Sequence, residues 1–373
     1  MNTFSCTCTS KPALFFESQS CTACGRVVGI TNEFTEVEPF NLDKARGLYS
    51  KVKSPGKFYQ KCANFAQHHA CNGMVEVGEN NAGCDTLCLA CRFNQVIPDL
   101  AIKGHLPLWQ KMEIAKRRAL FTVKSLGLPL VPKTENPAAG LAFQFLVDSD
   151  VSDHFATPLP DQEPVLTGHA NGVITINLAE ADEVSRSAVK LSMGERYRTL
   201  LGHFRHELGH YYFDVLVAGD EALTQECKTF FGDHTEDYQA ALNTHYEQGA
   251  PANWNENYIS AYATMHPSED WAETWSHYLH IIDTLETAKA HGLALLPHKR
   301  AGVEAIAGLN LPQADTSDPD QEFEELLKTW MQFSVAMNAI NRSMGVQDAY
   351  PFVLTQPVRQ KLAFVHKVVG ASN

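Results

Sequence analysis

The sequence has no apolar run long enough to cross a membrane. A spanning helix needs about 18 to 20 consecutive apolar residues, whereas charged and polar residues interrupt the hydrophobic 44% of this 373-residue chain throughout. The first residues, Met1 to Cys6, also lack the basic and apolar segments of a secretory signal. These two absences predict a cytoplasmic protein that has no membrane partner.

Cysteine is nearly absent from most of the chain. Nine of the ten cysteines lie between Cys6 and Cys91, and Cys227 stands alone. In a reducing cytoplasm such clustering argues against a disulfide framework and indicates metal binding.

An excess of positive charge is missing as well. The first 110 residues carry 10 Lys and Arg against 9 Asp and Glu, whereas the other 263 carry 20 against 34. The net negative charge of residues 111–373 argues against nucleic acid as the main partner of this larger part of the chain. A protein or nucleic-acid contact through the N-terminal part stays possible.

The clustered cysteines form two sets of four, each predicted to bind one structural zinc ion. Close pairs of thiolates on turns suit a tetrahedral metal site. The first set is Cys6, Cys8, Cys21 and Cys24, and the second is Cys62, Cys71, Cys88 and Cys91. Three alternatives stay open: Cys84 in place of Cys88, a cross-braced pairing of the eight thiols, and iron instead of zinc. The stretch between the sets, Thr31 to Gln60, is predicted to be a loop.

The strongest chemical motif is H-E-x-x-H at residues 206–210, within a predicted helix from Tyr197 to Val217. Residues four apart share one face of a helix, so His206 and His210 can place two imidazoles on one metal ion. Glu207 lies beside them, within reach of a water molecule on that metal. An apolar stripe on the other face is typical of a helix that packs on a core and lines a pocket.

Two flanking segments bear on this motif. Residues 172–178 alternate as a strand, either an edge strand that could pair with an extended peptide or an internal one. A later helix, predicted to begin with Ser268 as its N-cap, carries Glu269 and Glu273 four residues apart on one face.

Together these motifs resemble a bacterial family of zinc-binding metallopeptidases with an N-terminal zinc ribbon, over essentially the full length. The segment from His210 to Glu273 is similar to the gluzincin arrangement, and its Glu-x-x-Ala-Glu pattern to that of anthrax lethal factor. The resemblance implies that Glu269 is the third ligand of a catalytic zinc and that Glu273 orients a ligand histidine. It also implies a tyrosine that stabilises the oxyanion, either Tyr262 or, failing that, Tyr258. Asp270 and Glu273 stay open as alternative third ligands.

The implied fold is α+β: a small cysteine-rich zinc-ribbon module, then a mainly helical zincin-like catalytic domain with a small sheet. The expected domains are residues 1–97 (ribbon), 98–310 (metallopeptidase) and 311–373 (C-terminal helices packed on the catalytic domain).

The implied function is hydrolysis of peptide bonds in a peptide or protein substrate by a zinc-activated water, with Glu207 as general base. Two other functions are compatible with the same residues. One is a zinc-ribbon binding or scaffold protein whose zincin domain is inactive, and the other is a zinc hydrolase of a non-peptide amide.

Overall fold

The structure is a computed structural model that describes residues 3–78, 86–148, 167–186, 199–295 and 319–372. The chain divides into two compact units. One is formed by residues 2–125 and 129–189, and the other by residues 190–373 together with 126–128.

In its described residues, the first unit contains three sheets and helices of 4 to 21 residues. A two-stranded ribbon pairs β1 with β2, an antiparallel sheet runs in the order β3-β4-β5-β6-β7, and a mixed sheet in the order β10-β11-β9-β8. The strands are β1 Phe4–Ser5, β2 Ala13–Leu14, β3 Val28–Ile30, β4 Val37–Asp43, β5 Leu48–Lys51, β6 Phe58–Lys61, β7 Met74–Val77, β8 Asn94–Val96, β9 Ala142–Leu146, β10 Gly168–Ala170 and β11 Val173–Asn177. The helices are α1 Ala63–His68, α2 Leu89–Arg92 and α3 His105–Ser125.

The prediction of a loop from Thr31 to Gln60 is wrong, because this stretch contains β4, β5 and most of β6. Its strands are short and carry polar residues and a proline, so no strong apolar alternation marks them. Antiparallel pairing with neighbouring strands stabilises them instead.

The predicted strand at residues 172–178 is present as β11. It pairs with β10 on one side and with β9 on the other. It is therefore an internal strand, and the edge-strand interpretation is wrong: its backbone groups are already hydrogen-bonded and cannot bind an extended peptide.

The second unit is helical in the part that the structure describes. Its helices are α4 Leu200–Leu216, α5 Glu221–Phe231, α6 Tyr238–Gln248, α7 Pro267–Ala290, α8 Pro319–Ser343 and α9 Gln356–Gly370. The centre of its core lies where α4 packs against α7, and Trp271 and Trp275 of α7 are almost completely buried there. Tyr212 of α4 stacks on Trp275, with ring centroids 5.1 Å apart. A wide aromatic layer thus fixes the two helices that carry the motifs identified above.

These units confirm the predicted α+β class, with a cysteine-rich, sheet-containing N-terminal region and a largely helical remainder. The three-domain division at residues 97 and 310 stays a prediction, and the second boundary lies outside the described residues. Within the described part of the chain, no helix combines the length and the apolar character that crossing a membrane requires.

Candidate metal centre

Helix α4 presents the H-E-x-x-H residues on one face. The side chain of Thr199 caps the helix by accepting a hydrogen bond from the Gly202 amide at 2.9 Å. His206 and Glu207 are buried and His210 is partly exposed. The ring centroids of His206 and His210 lie 5.0 Å apart, and their Nε2 atoms are 3.2 Å from each other.

Helix α7 supplies the two glutamates from its first turns. Its N-cap is His266, which accepts a hydrogen bond from the Ser268 amide, and Pro267 occupies the first turn. The prediction of Ser268 as N-cap is therefore wrong by two residues, because the imidazole provides the capping acceptor. Glu269 lies in the first turn and Glu273 one turn later on the same side.

Gly209 allows the two helices to come this close. A Cβ atom at this position would lie 2.9 Å from the Cα of Ala272 and 3.1 Å from the Cβ of Trp275. The Gly209 carbonyl also accepts a 2.8 Å hydrogen bond from the indole of Trp271. The glycine inside H-E-x-x-H thus determines the depth at which α7 presents its glutamates.

The carboxylate of Glu269 faces both histidines. Its Oε2 lies 2.9 Å from His206 Nε2, and its Oε1 lies 3.4 Å from His210 Nε2. These three residues form a cluster in which one ligand atom of each lies within 4.8 Å of the others. In a tetrahedral zinc site, ligand atoms about 2.0–2.2 Å from the metal lie about 3.3–3.6 Å from one another. The donor set and its spacing therefore fit zinc.

Buried oxygen atoms support the same conclusion. Within the described residues, Glu269 Oε2 and Glu207 Oε2 are buried and have no hydrogen-bond partner. His206 Nε2 lies 2.9 Å from Glu269 Oε2, but a neutral imidazole with its proton on Nδ1, towards Glu273, has none to donate from Nε2. A buried carboxylate oxygen without a hydrogen-bond partner costs free energy of folding. A cation bound among these atoms would compensate for the missing hydrogen bonds.

Glu273 contacts the other nitrogen of His206. Its Oε1 lies 2.7 Å from His206 Nδ1. Burial opposes ionisation of Glu273, but the hydrogen bond and charge of His206 lower the pKa of this carboxyl to about 2. Glu273 and Glu269 thus lie on opposite sides of the His206 ring, Glu273 at Nδ1 and Glu269 at Nε2.

Asp270, the other candidate ligand, is engaged elsewhere. It forms a buried ion pair with Lys361 of α9, with 2.5 Å between Oδ2 and Nζ. Lys361 also donates to the Asn257 carbonyl and lies 4.3 Å from the centre of the Tyr258 ring. Tyr258 and Asp270 therefore belong to a structural contact with α9.

Glu207 is paired with a histidine one turn earlier. His203 Nε2 lies 3.2 Å from Glu207 Oε1. Burial favours the neutral acid, but the hydrogen bond from His203 and the nearby His206 and His210 bring the pKa of Glu207 below its ordinary value. An ionised Glu207 can accept a proton from a water molecule beside the histidines.

Two tyrosines border the cluster. The ring of Tyr262 lies 6.0 Å from that of His206. Burial and the charge of Glu269 raise the pKa of Tyr262 well above its ordinary value, so it keeps its proton and can donate a hydrogen bond. Tyr238, at the start of α6, donates a 3.0 Å hydrogen bond to Glu269 Oε1.

The cysteines come together in the two predicted sets, not cross-braced. Each set has its four sulfur atoms within 4.8 Å of one another. The Sγ atoms lie 3.8 Å apart in Cys6 and Cys24, 3.9 Å apart in Cys8 and Cys21, and 4.0 Å apart in Cys71 and Cys88. Disulfide sulfurs lie about 2.05 Å apart, whereas a tetrahedral site with 2.3 Å Zn–S bonds gives about 3.8 Å. Both sets therefore fit a four-thiolate metal site, and Cys84 lies outside the described residues.

Sequence reasoning missed Tyr238 and gave no role to His203. His203 carried a signal, because it lies four residues before Glu207 on the same helix face. Tyr238 carried none: it lies 31 residues before Glu269, in a segment without a chemical motif.

Comparisons with known proteins agree with this geometry. The family model described as "Putative zinc-binding metallo-peptidase" matches residues 105–368, and a zinc-ribbon domain model matches residues 3–102. Relatives from Mycobacterium tuberculosis and Mycobacterium bovis, both described as uncharacterized proteins, are each 39% identical over 357 residues. These alignments cover 95% of this chain and 92% of each relative. No solved structure matches the chain.

The family match covers more than two thirds of the chain and includes every residue of the histidine and glutamate cluster. The ribbon match includes both sets of cysteines. The chain therefore belongs to the zinc-binding metallopeptidase family that these comparisons identify, and it carries an N-terminal zinc-ribbon domain.

Proposed function

We propose that the protein is a zinc-dependent peptidase of the gluzincin type, in which His206, His210 and Glu269 bind the catalytic zinc ion. The observation that carries this proposal is the convergence of two imidazole nitrogens and one carboxylate within 4.8 Å, next to Glu207 on the same helix. Zinc in such a site supplies a Lewis acid that polarises a carbonyl group and makes a water molecule acidic near neutral pH. That the substrate is a peptide or protein follows from the family, since internal strand β11 gives no support for β-pairing with a peptide.

Three side chains carry out the other steps of the proposed reaction: proton transfer, stabilisation of the oxyanion and orientation of a ligand histidine. The Glu207 carboxylate takes a proton from the attacking water and later delivers it to the leaving amine. The Tyr262 hydroxyl donates a hydrogen bond to the carbonyl oxygen as negative charge develops there. Glu273 accepts from Nδ1 of His206 and so keeps Nε2 free of a proton and directed at the metal.

The two cysteine sets each hold one structural zinc ion in this proposal, which gives three zinc ions per chain. All described cysteines are free thiols, and eight of them form the two sets. Such sites are compatible with a cytoplasmic location, where thiols stay reduced. Their role is to fold the ribbon, whose strands are too short to enclose a large core.

Replacement of the general base tests the reaction. We expect Glu207→Gln to retain three zinc ions and to lose about 10²- to 10⁴-fold in hydrolysis of a quenched fluorescent peptide library, because the amide cannot accept the proton. Glu247→Gln, an exposed glutamate on α6, is the matched control and should leave turnover unchanged. Peptidase activity retained in Glu207→Gln would contradict the assignment. Hydrolysis of small amides without cleavage of peptides would indicate a non-peptide substrate.

Metal analysis tests the ligand set. We expect elemental analysis to give three zinc ions per chain in the wild type and two in Glu269→Ala. Two zinc ions in both proteins would favour a binding protein with an inactive zincin domain. Three in both would assign the third ligand to another residue.

A further inference from the structure

The hydroxyl of Tyr238 contacts the carboxylate at the centre of the metal cluster. It donates to Glu269 Oε1 at 3.0 Å, the same oxygen that lies 3.4 Å from His210 Nε2. The other oxygen, Oε2, faces His206. Tyr238 thus engages one specific oxygen of a carboxylate whose two oxygens face different histidines.

The position of Tyr238 is fixed from two sides. It is the first residue of α6, and Asp237 caps that helix by accepting from the Ala240 amide at 3.0 Å. Its ring lies 5.2 Å from His266, and the same imidazole caps α7 and contacts the Glu236 carbonyl at 3.1 Å. The start of α6 is therefore tied to the first turn of the helix that carries Glu269.

Helix α6 has no buried residue, so a core-packing role does not explain the tyrosine. Tyr238 is 41% exposed, whereas the Glu269 carboxylate that it contacts is almost completely buried. A phenol held over a buried carboxylate from an exposed helix is a directed polar contact. Because a carboxylate can rotate about its own bond, such a donor restricts which oxygen faces the metal.

We propose that Tyr238 is a positioning residue for the third zinc ligand. Its hydroxyl holds Oε1 of Glu269, stabilises the ionised carboxylate and keeps the ligand oriented between His206 and His210. This inference rests on the proposed function, since it takes Glu269 as a ligand. It separates two tyrosines at one site: Tyr238 acts on the ligand, whereas Tyr262 acts on the substrate.

Removal of the hydroxyl alone tests this role. Tyr238→Phe should raise the zinc dissociation constant of the catalytic site about 10- to 100-fold, the usual effect of losing a partner of a metal ligand. The measurement is competition with a chelator, and the zinc ion that Glu269→Ala loses defines the site. Tyr246→Phe, a 67% exposed tyrosine on the same helix, is the matched control and should bind zinc as the wild type does.

Comparison with Tyr262→Phe excludes a general effect of removing a phenol at this site. Tyr262→Phe should bind zinc normally and lower kcat, whereas Tyr238→Phe should lower zinc affinity and regain activity at saturating zinc. If Tyr238→Phe binds zinc like the wild type while Glu269→Ala does not, the positioning role is overturned and the proposed metal site stands. If Glu269→Ala also binds the third zinc ion normally, the proposed ligand set itself is wrong.

Discussion

At the residue scale, His206 engages both of its ring nitrogens. Nδ1 lies 2.7 Å from Glu273, and Nε2 lies 2.9 Å from Glu269. An ionised carboxylate at Nδ1 requires a proton on that nitrogen, which leaves the lone pair of Nε2 available to a metal ion. In the proposed site the two glutamates of α7 therefore have different roles, although they lie only one turn apart.

A substitution series at Glu273 checks this division of roles. Glu273→Ala should raise the zinc dissociation constant of the catalytic site about 10- to 100-fold, because His206 loses the acceptor that orients it. Glu273→Gln should fall between Ala and the wild type, since its amide oxygen still accepts a hydrogen bond but carries no charge. Chelator competition measures both, with Glu247→Ala as control. Complete loss of the third zinc ion in Glu273→Gln would instead identify Glu273 as a direct ligand.

The sequence predicted only those arrangements of the site residues that follow from spacing within one helix. Helical periodicity places His206 and His210 together, and likewise Glu269 and Glu273, because each pair is four residues apart. It could not exclude Asp270 as a metal ligand, because the residue that engages this carboxylate is Lys361, 91 residues away in the chain. Tyr238 was missed for the same reason: its role depends on a long-range contact.

At the element scale, the site depends on how closely α4 and α7 pack. The absence of a side chain at Gly209 lets the backbone of α7 approach at Ala272 and Trp275. A methyl group there cannot be accommodated by rotation of a flexible neighbour, because Cα of Ala272 and the fixed stem of Trp275 are the contacts. The helices themselves would have to separate.

We therefore expect Gly209→Ala to lower the free energy of unfolding by about 1–3 kcal/mol, as overpacking does in well-packed cores. It should also weaken zinc binding, because Glu269 would move away from the histidines. Urea unfolding and chelator competition measure the two effects. Gly219→Ala is the control, since a Cβ there meets nothing within 4 Å. An unchanged unfolding midpoint in Gly209→Ala would mean that the helices separate without cost.

The two cysteine sets differ in exposure, and this predicts different zinc release. In the first set Cys24 is exposed and Cys8 partly exposed, whereas all four cysteines of the second set are buried. Thiolates that solvent reaches are open to oxidants and chelators. On treatment with hydrogen peroxide, one zinc ion should leave rapidly from the first set and the other slowly. The release is followed with a zinc-sensitive dye, and mass spectrometry should find the first oxidised cysteines at Cys8 and Cys24. Release of both ions at one rate would contradict this order.

The helices were easier to predict than the ribbon strands, for a physical reason. A helix stabilises its backbone within a continuous segment, and its periodic apolar face is visible in the sequence. The strands from Val37 to Lys61 are stabilised by hydrogen bonds to neighbouring strands, which form only when the sheet assembles. No local pattern of that strength marks them.

At the scale of the whole molecule, the helical unit buries His277, a histidine that is not part of the cluster of His206, His210 and Glu269. His277 of α7 lies under the segment after α8, where its Nδ1 is 2.9 Å from the Tyr350 hydroxyl and its ring is 4.3 Å from that of Phe352. Burial, opposed by the charge of Glu273 and aided by that of Arg205, lowers the pKa of His277 to about 4. The folded protein therefore keeps this imidazole neutral at pH values where a free histidine takes up a proton.

This difference makes the stability of the helical unit fall with acid. Between pH 6.5 and about 4 the unfolded chain binds a proton at His277 that the folded chain does not, so the free energy of unfolding decreases as the pH falls. The full effect is roughly 3 kcal/mol, from 1.36 kcal/mol per unit of pKa difference. His280, whose pKa is also lowered by burial and by Arg205, acts in the same direction.

We expect His277→Gln, which can still bond to Tyr350 but does not titrate, to show a smaller loss of unfolding free energy between pH 6.5 and 4.5. Urea unfolding at several pH values measures the slope, and His291→Gln, at an exposed position, is the control. Acid also protonates the proposed zinc ligands, but that contribution is common to all three proteins and cancels in the comparison. Equal slopes in the wild type and His277→Gln would mean that His277 is not kept neutral, and that the acid sensitivity of this unit comes from other groups.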